Sequence, residues 1–216
     1  MIKRLSLILI SALIVLNSCS LIKFKTESPQ PDSPRTFTIP PIENYTERVT
    51  KKPFGIKVSP DDSPVQPEKF TGFHTGVDFE IFENETDIDV DIFAICTGEL
   101  ILKRLVSGYG GVVMQKCEIN EDDYTVLYGH LDLDSVEAEI GDSIKEADLI
   151  GVLGDGYSDE TDGERKHLHL GIHKGLELEL RGYVGSEEEL EGWVDPLIIL
   201  ISTCTVDEAV EEILGH

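Results

Sequence analysis

Hydrophobic positions along the chain fall in short runs that turn-forming residues interrupt. Residues 90–96, 99–106, 112–117 and 124–130 are rich in Val, Ile, Leu and Tyr, while Gly, Asp and Asn gather between them at 107–111 and 120–123. Runs of that length bounded by such residues predict strands joined by tight turns. Residues 149–153, 167–173 and 176–183 continue the series, and helical spacing is found only at 207–214, where Val210, Ile213 and Leu214 punctuate an acidic stretch. The pattern predicts a mainly β, antiparallel domain with few short helices.

The two ends read differently. Lys3 and Arg4 precede an apolar run over 5–16, which is too short to cross about 30 Å of hydrocarbon as a helix and has the layout of a secretory signal peptide. Leu16-Asn17-Ser18-Cys19 resembles the lipobox of bacterial lipoproteins, which implies an exported chain acylated at Cys19; an ordinary signal peptide with an incidental cysteine is the other reading. Residues 20–50 are rich in Pro, Ser and Thr and bury too little apolar surface to offset their ordering entropy. The organisation expected is a signal peptide at 1–18, a flexible tether at 19–50, a domain at 51–200 and an acidic tail at 201–216. The domain would face the periplasm or the cell exterior, held to a bacterial membrane by its lipid, since each buried CH₂ contributes about 0.8 kcal/mol.

Charge narrows the range of partners. With 42 acidic against 18 basic residues the net charge is -24, which disfavours nucleic acid, whose binding rests on Lys and Arg neutralising phosphates. Hydrophobic residues make up 40%, enough for a folded core. Four cysteines are too few for a small scaffold built on disulfides.

Histidines carry the candidate chemistry. In His167-Leu168-His169 the apolar flanks favour a strand, where alternation would put both imidazoles on one face. Neutral imidazoles so placed are metal ligands, or a ligand beside a base. In His74-Thr75-Gly76-Val77-Asp78 an imidazole and a carboxylate converge from a Gly-containing turn, and in Tyr128-Gly129-His130-Leu131 a histidine ends a predicted strand. Each element alone is weak, because histidines in strands are more often structural.

In this order the elements resemble the lysostaphin-type zinc endopeptidases of peptidoglycan, the LytM family. The resemblance covers most of 54–200 and includes Ile95-Cys96-Thr97-Gly98-Glu99-Leu100, Ser107-Gly108-Tyr109-Gly110-Gly111, Gly141-Asp142-Ser143-Ile144, Ile150-Gly151-Val152-Leu153-Gly154 and Trp193-Val194-Asp195-Pro196-Leu197. It implies a compact β-sandwich with a substrate groove, with His74, Asp78 and His169 ligating Zn²⁺ and a fourth position left for water. His130 and His167 match the two non-ligand histidines, which would take a proton from that water, hydrogen-bond the oxyanion and protonate the leaving amine. Peptidoglycan is then the substrate. The alternative the resemblance carries is a non-catalytic regulator that activates a cell-wall amidase, and retention of all five positions favours the enzyme.

Some features depart from that pattern. The stretch 154–166 is long and charged where relatives have a short Gly, Ser and Thr-rich loop; its acids, with Arg165 and Lys166, either meet charged stem-peptide groups or form a solvated surface. His173 and His216 match no ligand. Cys96 and Cys117 sit in neighbouring predicted strands and read equally as a disulfide or as two buried thiols, with Cys204 lacking an evident partner.

Overall fold

The computed structural model describes residues 40–200. Cys19, the signal peptide, most of the expected tether, Cys204, and the predicted 207–214 helix lie outside them. Helices are few among the described residues: α1 (Tyr45–Arg48), α2 (Glu187–Leu190) and three single 3-10 turns. None is long and apolar enough to cross a membrane.

Thirteen strands follow one another as β1 (Lys57–Val58), β2 (Gly72–His74), β3 (Gly76–Glu80), β4 (Asp91–Phe93), β5 (Gly98–Val106), β6 (Gly110–Ile119), β7 (Asp122–Gly129), β8 (Leu131–Asp132), β9 (Ser143–Ile144), β10 (Leu149–Leu153), β11 (His167–Lys174), β12 (Tyr183–Val184) and β13 (Trp193–Val194). The main sheet is antiparallel in the order β13-β11-β7-β6-β5-β9, and β3 also pairs with β11. Two three-stranded sheets, β1-β2-β12 and β4-β10-β8, complete the architecture. The fold is mainly β, as the hydrophobic pattern predicts.

Alternation explains where the core sits. Val77 and Phe79 of β3 and Leu168, Leu170 and Ile172 of β11 are buried in one apolar cluster with Leu100, Val113, Ile119 and Val126, which the hydrophobic effect alone favours. Tyr128 enters the same cluster with its hydroxyl satisfied, accepting from Ile95 N–H and donating to Gln115 Oε1. Cys96 and Cys117 are joined by a disulfide with Cα atoms 6.0 Å apart. Antiparallel pairing brings this about, since Gly98, two residues after Cys96, lies opposite Cys117.

Two stretches depart from the sequence reading. Residues 176–180 alternate Leu and Glu like a strand, yet they join no ladder; only Tyr183–Val184 pairs, with β2. Alternation there does not mark a buried face, because Leu176 and Leu178 are about half exposed. Residues 40–50 fall within the expected tether but pack onto the domain. Ile42 is buried, and buried Arg48 makes two bonds of 2.6 and 2.7 Å to Glu85 and donates to the Glu80 carbonyl. A guanidinium so fully partnered tolerates burial, and that anchors a segment whose composition is otherwise that of a linker.

Candidate active site

The same alternation that sends Phe79 and Leu168 inward turns their neighbours to the opposite face. Strand register sets His169 opposite Asp78 and His167 opposite Glu80, and directly opposed residues share one side of a sheet. His74 arrives from the end of β2, so the expected Gly-containing turn is a strand, a one-residue bend and a second strand. Gly76 begins that second strand because a Cβ there would lie 2.7 Å from the His169 ring.

Three side chains converge. His74 Nε2 lies 3.0 Å from His169 Nδ1 and 3.2 Å from Asp78 Oδ1, and His169 Nδ1 lies 3.1 Å from the same oxygen. All three residues are buried, and they form a group able to hold a metal ion. His74 Nδ1 is 3.2 Å from the Pro53 carbonyl; a carbonyl only accepts, so Nδ1 carries the proton and Nε2 presents its lone pair to the centre. The Asp78 N–H is fixed as well, donating to the Lys52 carbonyl at 3.0 Å.

The protonation states suit a cation. Burial alone would raise the Asp78 carboxyl, but the surrounding imidazoles hold it well below the usual carboxylate range. His169 is pushed down to about 4, chiefly by burial. Both are therefore deprotonated at neutral pH, as metal ligation requires. Two imidazoles and a carboxylate are a donor set that fits Zn²⁺.

His130 and His167 stand beside this group with ring centroids 4.2 Å apart. His167 Nδ1 is 2.7 Å from the Arg165 carbonyl, so it donates there, and Nε2 is left 3.3 Å from Asp78 Oδ2. His130 follows β7 with φ 66, a backbone conformation uncommon for a residue with a side chain. Its Nδ1 is buried without a hydrogen-bond partner. Burial, then the neighbouring His167, keeps the His130 ring well below its ordinary pKa, so it is neutral. Unpartnered buried polar atoms and strained backbone concentrate at functional sites.

All five candidate residues thus gather in one place. A groove of about 340 Å³ runs over Asp78, His130, His167 and His169, walled by Tyr109 and Tyr183. His173 lies off this group, its ring edge-on to Trp193 at 4.9 Å. Two features of the site had no role in the sequence reading, and a third was read there differently. Buried Lys52 contacts Glu68 at 2.6 Å and donates to Tyr183 Oη at 2.9 Å. Tyr109 Oη is 3.5 Å from His169 Nε2. Arg165, read above as a loop charge, is turned inward onto Asp78 and Glu80. Parity was the available signal for the last, because Arg165, His167 and His169 alternate in step, as do Asp78 and Glu80.

Residues 72–180 match the family model described as "Peptidase family M23". The chain belongs to peptidase family M23. The matched span contains the five histidine and aspartate positions, so the LytM-type resemblance holds. The M23 chain is 30% identical over 100 residues to "Endolysin 2638A" of Staphylococcus phage 2638A, an alignment covering 46% of this chain and 19% of the endolysin; it therefore spans about a fifth of that relative's length. Solved structures of similar fold include LytU, 24% identical and covering 69% of this chain and 81% of that one at a TM-score of 0.44. A zinc-containing peptidase from Vibrio cholerae is 18% identical over 62% of this chain and 36% of its own, at 0.38. A chain of the SpoIIQ-SpoIIIAH pore-forming complex is 19% identical over 76% and 90%, at 0.48.

Proposed function

We propose that this M23 domain is a zinc endopeptidase that hydrolyses peptide bonds in peptidoglycan cross-links or stem peptides. The observation that carries this reading is the convergence of His74 Nε2, His169 Nδ1 and Asp78 Oδ1 within 3.2 Å of one another. With Nδ1 of His74 engaged by Pro53, its Nε2 and the Asp78 carboxylate oxygen are two acceptors 3.2 Å apart, and a divalent cation satisfies both together with His169. His74, Asp78 and His169 would hold Zn²⁺, which when bound supplies Lewis acidity toward a carbonyl and a lowered pKa for water. The chain's own residues do the rest. Pro53 fixes the tautomer of His74 through an outer-shell bond of the kind that orients metal ligands. His130 and His167 are the proton carriers: one imidazole takes a proton from the attacking water, and the pair returns one to the leaving amine. His167 is oriented for this by its bond to the Arg165 carbonyl. The unpartnered Nδ1 of His130 is available to hydrogen-bond the tetrahedral oxyanion or to receive the proton. Burial in the groove strengthens each of these interactions.

Purified chain incubated with cell walls should release new amino groups in a zinc-dependent way, and His169→Ala should lower the rate on the order of a thousandfold, the several kcal/mol that a catalytic metal contributes. Stoichiometrically loaded protein that leaves several wall types intact would sink the proposal. Intact walls together with acceleration of an added amidase would favour the regulator instead; the complete ligand set and the free His130 nitrogen speak for the enzyme.

We extend the proposal to location. Export and acylation at Cys19 would tether the domain to a membrane and keep it near the wall. Cys19→Ala should move the chain from the membrane fraction to the soluble one, and unchanged fractionation would refute the anchor.

A further inference from the structure

Asp78 has two oxygens with separate surroundings. Oδ1 faces His74 and His169, whereas Oδ2 accepts from Arg165 Nη2 at 2.8 Å and lies 3.3 Å from His167 Nε2. The guanidinium is itself fastened. Its Nε is 3.0 Å from both Glu80 oxygens, and its Nη2 is 2.6 Å from Glu80 Oε1. Glu80 in turn is held by Lys51 Nζ at 3.1 Å, and its carbonyl accepts from Arg48. A row of alternating charge, Asp78, Arg165, Glu80, Lys51, results. Three of its four members are buried, and Arg165 is 9% exposed.

Burying this row has no evident benefit for folding alone, because desolvating ions offsets most of their attraction and an apolar set of similar volume is often as stable. Its geometry does have a consequence at the metal-binding group. A carboxylate with both oxygens free can chelate a cation through the pair and so consume a coordination position. Here the outer oxygen is occupied by a donor that cannot be deprotonated.

We propose that Arg165, locked by Glu80, is a positioning residue that keeps Asp78 a one-oxygen ligand, so that the coordination position needed by water and substrate stays open. The inference rests on the proposed metal site. Arginine suits the task better than lysine because its planar fork reaches Asp78 and Glu80 at once. The 154–166 insertion thereby serves the interior of the site through its last turn, while Lys166 donates to the Ile88 carbonyl at 2.9 Å and pins the other side.

The test uses full-length protein carrying Arg165→Lys and, to avoid stranding a buried carboxylate, the charge-matched pair Arg165→Gln with Glu80→Gln. Each is loaded with Co²⁺ in place of Zn²⁺ and its visible absorption recorded; kcat and KM on wall fragments are measured with zinc. Both variants should bind one metal ion. Their cobalt absorption should weaken as the coordination number rises, and kcat should fall about 10- to 100-fold, the usual effect of losing an outer-shell partner, with KM little changed and the lysine variant less affected. A cobalt spectrum identical to wild type with kcat within twofold would overturn the proposal and leave Arg165 a packing residue. Failure of the wild-type chain to take up metal would instead sink the metal-site reading itself, so the two failures are distinguishable.

Discussion

Strands β3 and β11 each serve two regions of opposite character. Their inward residues, Val77, Phe79, Leu168, Leu170 and Ile172, join an apolar interior, and the residues between them, Asp78, Glu80, His167 and His169, line a wall of buried polar and charged side chains. The interior is held by burial that any well-packed apolar set supplies. The charged wall is held by named partners, each ion offset by another: Asp78 by Arg165, and Glu80 by Arg165 and Lys51. What the contrast teaches is a division of consequence. Damage to the interior should appear as lost stability with chemistry intact in the surviving fold, and damage to the wall should appear first as lost chemistry.

Substitution on the wall has the largest expected effect. His130→Asn keeps a residue that tolerates the left-handed backbone but removes the titrating ring. Activity should fall by a factor on the order of 10³, within the range for a positioned proton carrier, while zinc content and melting temperature stay near wild type. A matching loss of metal would show that His130 is part of the ligand set rather than a proton carrier.

An interior counterpart is Leu100→Ala. Leu100 is fully buried, and truncation should reduce unfolding free energy by about 3 kcal/mol through lost transfer and a residual cavity, measured by urea unfolding. The folded fraction should keep kcat. A drop in kcat at temperatures where the variant is fully folded would blur the division between the two regions.

Glu68→Gln lies between the two cases, because it removes one member of a buried ion pair at the edge of the candidate site. Leaving the Lys52 ammonium without its carboxylate should be destabilising by about 2 kcal/mol at pH 7, less than a deep ion pair because Tyr183 Oη still accepts from it. The pH dependence has a definite sign. Desolvation opposes ionisation of Glu68, but Lys52, the Phe70 N–H and Ser63 outweigh it, leaving the carboxyl below its ordinary 4.5. A depressed acid contributes stability that is complete above the unfolded value and lost as pH falls through the folded one. The gap between wild type and variant should thus be full at pH 7 and close on acidification below 4.5; a gap constant with pH would mean that the charge is not what matters.

Legibility in the sequence followed the same division. Strand β10 was readable to the residue, and β5, β6, β7 and β11 to within a few, because interior positions repeat with the period of the pleat. His74, Asp78, His130, His167 and His169 were readable because their spacing matches a known family pattern. Arg165 and the Lys52–Glu68 pair were not, because a charged residue in a loop has the same local signature whether it meets water or a buried carboxylate. The 176–180 segment misled for the converse reason: alternation without a neighbouring ladder does not make a strand.

Sequence by itself determined the antiparallel β character and the family and pointed to five candidate site residues, since alternation and motif order are local properties of the polymer. Tertiary structure decided which oxygen of Asp78 faces the histidines, which cation covers the other, that Cys96 meets Cys117, and that residues 40–50 fold against the domain. Those are matters of distance between segments far apart in the chain, and they are settled only when register brings the segments together.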